Sequence, residues 1–276
     1  MAWFLIPVAM LGAVGGAIWW QLHLNKAPNV LLITLDTTRA DRLGCYGYHD
    51  AETPALNSLA AAGLRFPNAF TQVPLTLPSH TTILTGLCPP EHGVRVNGRQ
   101  KLPAGIATLP EVFRAHEYRT AAFLASAVLD RRFGLDRGFD SYDDRMQPMR
   151  AGSRISDAEN PANVVADRAL AWLGQHGSEP FFCWVHFYDP HPPCNPPEPY
   201  NSRHKDPYDG EIAFMDSQIQ RLLAFLEKTG LRSRTLIVVC GDHGGMCVRV
   251  AGIAAAGGFQ PIQNRSRRSS RAYRSR

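Results

Sequence analysis

The chain has 276 residues, 45% of them hydrophobic and 19% charged, a balance that excludes a disordered protein and allows one large α/β domain or two small ones. Its formal net charge of +5 comes from 29 basic against 24 acidic residues. The excess is confined to one end: beyond Asp242 there is no acidic residue, whereas Arg249, Arg265, Arg267, Arg268, Arg271, Arg274 and Arg276 all fall there. Setting those seven aside leaves 22 basic residues against 24 acidic ones. The body of the chain is therefore mildly acidic, and no nucleic-acid partner is expected.

Residues 2–20 carry no charge and end in Trp19-Trp20. An apolar run of that length just spans a bilayer, and Trp suits the interface. We expect residues 1–24 to be a membrane anchor or uncleaved signal, with the rest exported to a periplasmic or extracellular location. A signal peptide cleaved within GAVGGA and a buried core helix are the rival readings. The six cysteines (Cys45, Cys88, Cys183, Cys194, Cys240 and Cys247) show neither a CxxC pair nor metal-ligand spacing, and no disulfide is assigned. Cys183 and Cys240 lie inside apolar runs and are expected to be small buried hydrophobes.

Four runs have the length and near-continuous apolarity of strands buried on both faces: NVLLITL (29–35), RTAAFLA (119–125), FFCWVHF (181–187) and TLIVVC (235–240). Helical patterns separate them. Residues 163–175 place Ala166, Ala169, Leu170 and Leu173 on one stripe. Ile212, Met215, Ile219, Leu222 and Leu226 form another, with Gly230 as a stop. Strands alternating with helices predict a doubly wound, mostly parallel α/β sheet flanked by helices. Residues 144–161 are polar and of mixed charge, and are expected to form a surface excursion. From residue 247 the patterning stops, and 247–276, small-residue-rich and then Arg/Ser-rich, is expected to be a disordered basic tail. Its composition alone would also suit a nucleic acid or an acidic lipid.

Three of the strands run into ligand-type residues: the first into Asp36, the third into Asp189-Pro190-His191, the fourth into Asp242-His243. In open parallel sheets the carboxyl ends of strands line one crevice. These clusters should therefore meet, and oxygen and imidazole donors together suit Ca, Mg, Mn or Zn, as one or two ions. A single Asp after a strand is usually a turn or cap residue; three such clusters point to a site. In PLTLPSHTTILTG (74–86), Pro78 and Ser79 are expected to open a short helix that Gly86 closes, leaving Thr76 just ahead of its N-terminus. A hydroxyl there, beside a divalent cation, can lose its proton and act as a nucleophile. A Thr-rich capped turn is the plain alternative. His186, inside an apolar strand, is expected to be a core histidine or one that supports the ligands. Arg39 and Asp41 should pair locally, and His92 and Asn97 are candidates for the pocket wall.

As a set, NVLLITLDTTRADRLGCYGY, TPALNSLAAAGLRFPNAF, LPSHTTILTGLCPPEHGV, GFDSYDD, HFYDPHPP, PYDGEIAFMDSQIQRLL and TLIVVCGDHG resemble the sulfatase-like family of the alkaline phosphatase superfamily over residues 28–244. The resemblance implies an alkaline phosphatase-like fold with a metal at the carboxyl edge of its sheet, and hydrolysis or transfer of sulfate or phosphate esters. It matches Asp36, Asp242 and His243 to metal ligands, Thr76 to the metal-bound nucleophile and His191 to the histidine that handles the leaving group. Asp189 could join His191 at a second metal. The sequence departs from the pattern in four ways. Thr76 and His80 occupy the Cys and Arg positions of the Cys-x-Pro-x-Arg signature, so formylglycine is not expected. Thr37 replaces the second acid of the usual Asp-Asp pair. No Lys-x-His element precedes GFD, where Arg131 and Arg132 stand as candidate anion contacts. The family also continues past GDHG into a C-terminal subdomain missing here, so residues 28–246 are expected to be an incomplete catalytic domain. A truncated, inactive remnant that at most binds metal or anion is the alternative to an enzyme.

Overall fold

Asn29–Leu35, a β-branched and leucine-rich run with no polar interruption before its last turn, forms β1 at the centre of a seven-stranded sheet. It pairs in parallel with β6 (Phe181–Phe187) on one side and with β7 (Thr235–Gly241) on the other. Beyond β6 lie β4 (Arg119–Phe123) and β5 (Ser141–Asp143), both parallel. The computed structural model describes residues 27–147, 158–244 and 249–256. Residues 1–24, read above as an anchor, lie outside them, as do 148–157 of the polar excursion. Among the described residues no helix is long and apolar enough to cross a membrane.

The helices cover both faces, as a doubly wound sheet requires. On one face α1 (Pro54–Ala62), α5 (Ala162–His176) and α7 (Pro207–Lys228) pack Leu56, Ala166, Leu173, Met215 and Leu222 against Leu31, Ile33, Cys183 and Val185. On the other, α2 (Thr76–Thr85) and α4 (Leu109–Ala115) pack Leu77, Leu84 and Phe113 against Leu32, Phe182 and Trp184. Alternation along β6 therefore sends Phe181, Cys183, Val185 and Phe187 one way and Phe182 and Trp184 the other. Each large side chain so buried contributes about 1.5–3 kcal/mol. Short helices α3 (Pro89–His92) and α6 (Tyr200–Arg203) lie in the connections. The carboxylate of Asp216 on α7 accepts the free backbone N–H groups of Ala55 and Leu56, both at 2.9 Å, and so caps α1 from a neighbouring helix.

The expected end of regular structure at residue 247 is corrected for residues 249–256. Arg249–Val250 (β8) pairs antiparallel with β3 (Ala69–Phe70), and Gly252–Ala256 (β9) runs antiparallel along the free edge of β7. On the far side of β9, β2 (Leu64–Arg65) completes the sheet. Small side chains suggested a structureless tail, but here they serve close approach. Ala251, Ile253 and Ala255 are fully buried, and a Cβ added at Gly63 would meet the Ala254 carbonyl oxygen at 2.3 Å. β7 is thus covered, and the folded body extends past residue 246; residues 257–276 lie outside the described part.

Candidate metal centre and nucleophile

The register of the parallel ladder sets two carboxylates side by side. Leu35 pairs with Gly241, so the next residues on each strand, Asp36 and Asp242, stand abreast at its carboxyl end. Each is fixed by a ladder bond, Asp36 N–H to the Phe187 carbonyl at 2.9 Å and Asp242 N–H to the Leu35 carbonyl at 3.2 Å. Both side chains are completely buried. Thr76 reaches them from α2, which begins at Thr76 itself rather than three residues later, with extended Leu75 ahead of it. Ser79 is therefore not the cap. Its hydroxyl donates to the Asp242 carbonyl at 2.6 Å, while Asn97 Oδ1 takes the N–H of Leu77 at 2.9 Å. Gly86, at φ 71°, ends the helix as expected.

The Thr76 hydroxyl donates to Asp36 Oδ2 at 3.2 Å and lies 3.4 Å from His243 Nε2. That nitrogen is 3.7 Å from Asp36 Oδ1 and 3.5 Å from Asp242 Oδ2. One ligand atom from each of Asp36, Asp242 and His243 falls within 4.8 Å of the others. Asp36 Oδ1, Asp242 Oδ2 and His243 Nδ1 are buried without a hydrogen-bond partner. Burial pushes Asp36 up to about 8, against the pull of the Thr76 and Thr37 hydrogen bonds. Burial, then the charge of Asp36, drives Asp242 well above the usual carboxylate range. His243 is pushed down to about 4, by burial and then by nearby His191. Two adjacent, buried, underbonded carboxylates and a neutral imidazole lack one thing, a positive charge, and a divalent cation fits that donor set.

Thr37, at the position of the missing second acid, cannot act as a ligand. Its hydroxyl donates to the Pro190 carbonyl at 3.1 Å, its N–H to Asp242 Oδ1 at 3.2 Å. It also holds φ 46°, a left-handed conformation costly for a β-branched residue. Tyr208 pins it there, donating to the Thr37 carbonyl at 2.8 Å.

Asp189 is not brought into the group. Its Oδ2 accepts the Ala162 N–H at 3.0 Å, at the start of α5. It borders a separate cavity of about 440 Å³ with Glu159, Glu211, Tyr188 and His191. Burial, then Glu211, raises Asp189 to about 7. The second-metal role expected for Asp189 together with His191 would therefore fall at this cavity and not at the Asp36 group, with Asp189 Oδ2 already engaged by the Ala162 N–H. His191 lines the same cavity, stacked on Tyr188 with ring centroids 4.2 Å apart, its Nδ1–H donating to the Pro192 carbonyl at 2.8 Å. Arg131 and Arg132 pair with Asp144 at 2.7 Å and Asp130 at 3.0 Å, so their guanidinium groups already have acidic partners. Arg39 and Asp41 pair at 2.7 Å. His92 is buried against Thr82, 3.1 Å away, as a structural contact.

His186, expected as a core histidine or one that supports the ligands, lies on the floor of the centre; its companions there, His80 and Thr34, were not foreseen. His80, one helical turn after Thr76, and His186 on β6 sit beneath the carboxylates with ring centroids 4.7 Å apart, joined through the hydroxyl of Thr34. Both are fully buried. The usable signal was parity: Thr34 and His186 are register partners on adjacent strands, pointing to the same face.

A family model described as Sulfatase matches residues 28–268. The chain belongs to the sulfatase family. This sulfatase-family chain is 28% identical over 181 residues to a Delta 4,5-hexuronate-2-O-sulfatase of Bacteroides thetaiotaomicron, covering 62% of the chain and 36% of the relative. It is 23% identical to an arylsulfatase of Clostridium perfringens (79% and 63% covered) and 25% identical to human arylsulfatase A (83% and 54%). The chain thus spans between about a third and two thirds of the length of these curated relatives. Its fold is that of the phosphonate monoester hydrolase of Agrobacterium radiobacter, with a TM-score of 0.70 at 22% identity over 84% of this chain and 68% of that one. A 2-O GAG sulfatase superposes with a TM-score of 0.67 at 20% identity, over 85% and 65%. Sulfatases normally bind a divalent metal, and the Asp36–Asp242–His243 group is where this member could hold one.

Proposed function

We propose that this sulfatase-family protein hydrolyses sulfate or phosphate esters, or passes the group to an acceptor, with Thr76 as nucleophile at a zinc or manganese centre formed by Asp36, Asp242 and His243. The observation that carries the reading is the Thr76 hydroxyl, 3.2 Å from Asp36 Oδ2, in a group where Asp36 Oδ1 and Asp242 Oδ2 are buried without a hydrogen-bond partner. Two carboxylates with an imidazole favour Zn or Mn over Ca among the four candidate ions. The cation, when bound, supplies positive charge to the anionic ester and lowers the pKa of an oxygen it touches.

Asp36 Oδ2 is placed to take the Thr76 proton as Oγ1 attacks phosphorus or sulfur. The bond to the ester oxygen breaks, and His191, whose charge is felt at His243 from the neighbouring cavity, would hand a proton to the departing oxygen. Water then cleaves the threonyl ester and releases the inorganic anion. A threonyl sulfate lacks the carbonyl-hydrate route that formylglycine provides, so phosphoryl substrates are the better match to Thr76. The arylsulfatase relatives argue for sulfate, and the phosphonate monoester hydrolase neighbour makes phosphorus chemistry the natural second arm. For location, the uncharged 2–20 run supports a tethered, exported enzyme.

The test is turnover of aryl phosphate, phosphodiester and aryl sulfate by the purified chain, with EDTA and with Zn, Mn or Ca. Thr76→Ala should cut kcat by at least about a thousandfold while leaving metal binding in place. Full turnover in that variant would remove Thr76 from the mechanism.

A further inference from the structure

The Thr34 hydroxyl has three neighbours, and the way its single proton must be shared determines the state of both buried histidines. Trp184 Nε1 lies 2.9 Å away and can only donate. His80 Nε2 lies at 3.0 Å and His186 Nδ1 at 3.2 Å. His80 Nδ1 is 2.7 Å from the Thr76 carbonyl, which only accepts, so that nitrogen carries a proton. The ring is fully buried and, among the described residues, no carboxylate comes within hydrogen-bond distance, Asp242 Oδ2 being 3.7 Å away, so the imidazole is neutral and Nε2 is a lone pair. Thr34 must therefore donate its proton to His80. With that proton spent, His186 Nδ1 has to donate to the Thr34 oxygen, and His186 Nε2 becomes a lone pair as well. It is buried without a partner, 3.7 Å from Asp36 Oδ2. His80 Nδ1 is 3.7 Å from Asp242 Oδ2, but its proton is directed to the Thr76 carbonyl.

We propose that Thr34 is a positioning residue that locks His80 and His186 as Nδ1–H tautomers, so that neither imidazole donates a hydrogen bond to Asp36 or Asp242. A floor without donors leaves both carboxylates dependent on positive charge from the open side of the site. It raises the free energy of the metal-free state and so favours cation binding. Asp36, Asp242 and His243 remain the ligand set; His186 lies outside that group. The inference rests on the metal reading above for its consequence, but not for the tautomers themselves.

Long-range ¹H–¹⁵N spectra of the imidazoles in the metal-free full-length chain read the tautomers directly. The expected result is Nδ1–H at both buried histidines; Nε2–H at His186 would overturn the proposal with no variant needed. Thr34→Val removes the hydroxyl at constant volume. It should release His186 to the Nε2–H form, donating to Asp36, while His80 keeps Nδ1–H on the Thr76 carbonyl. Calorimetric titration of that variant with Zn²⁺ and Mn²⁺ should show affinity weakened by about 10–100-fold. Thr34→Ser should restore both tautomers and affinity. Trp184→Phe, which keeps the hydroxyl, should change neither. Unchanged tautomers and affinity in Thr34→Val would refute the role. If the wild type binds neither ion, the metal reading fails, and the spectra still decide the wiring.

Discussion

Asp36→Asn separates the cost of the centre from its use. A carboxyl that titrates near 3.8 when unfolded and at about 8 when folded penalises the native state as the unfolded chain ionises and the folded one does not. At about 1.4 kcal/mol per pH unit the limit is on the order of 5 kcal/mol. Asp242 shares the same burden, so about half, roughly 2–3 kcal/mol, is assigned to this residue. The sign follows from the raised value. Wild type keeps its full stability below about pH 4 and loses the contribution of Asp36 as pH rises towards 8. Asn in its place does not ionise, and its Oδ1 can still accept the Thr76 hydroxyl. Thermal melts in EDTA should therefore coincide at acid pH and diverge at pH 8. There the variant should lead by about 5–10 °C, taking about 2–4 °C per kcal/mol for a domain of this size. Adding Zn²⁺ at about a thousand times its Kd should raise wild type by about 4.1 kcal/mol and the variant by much less, reversing the order. A variant no more stable than wild type at pH 8 in EDTA would show that the carboxylate is not under strain, and the case for a cation would fail with it.

Two further substitutions follow from the geometry. Thr37→Asp replaces a β-branched residue at φ 46° with one that tolerates that conformation, and adds an acid beside the pair. Mn²⁺ affinity by calorimetry should rise by at least about tenfold, and an unchanged value would mean that this side chain cannot turn to the ion. Gly63→Ala puts a methyl 2.3 Å from the Ala254 carbonyl and should cost about 1–3 kcal/mol, read as a lower Tm. A neutral result would show that β9 does not pack there.

Much of this was legible in the sequence because periodicity is local. The runs expected as strands at 29–35 and 181–187 are the strands observed, and the helix expected over 163–175 is Ala162–His176. The convergence of Asp36, Asp242 and His243 followed from strand ends in a parallel sheet, a rule of topology rather than of distance. What failed depended on pairing partners. Ala and Gly at 251–256 have low strand propensity and became a strand because β7 offered an edge and Gly63 left room. Asp189 follows its strand as Asp36 does, yet the N-terminus of α5 claims its carboxylate. Thr34 and His186 share a face by strand parity, but their register, and the arrival of His80 from α2, depend on pairing and packing partners far away in the chain.

The reversal of direction at the edge of the sheet has a practical corollary. β9 runs back along β7, so Ala256 lies opposite Leu236, six residues before Asp242, or about 20 Å from it at strand rise. A fluorophore or surface tether attached just after Ala256 would begin its path at the far end of the strands. Asp36, Asp242 and Thr76, at the carboxyl end of the strands, would lie away from it.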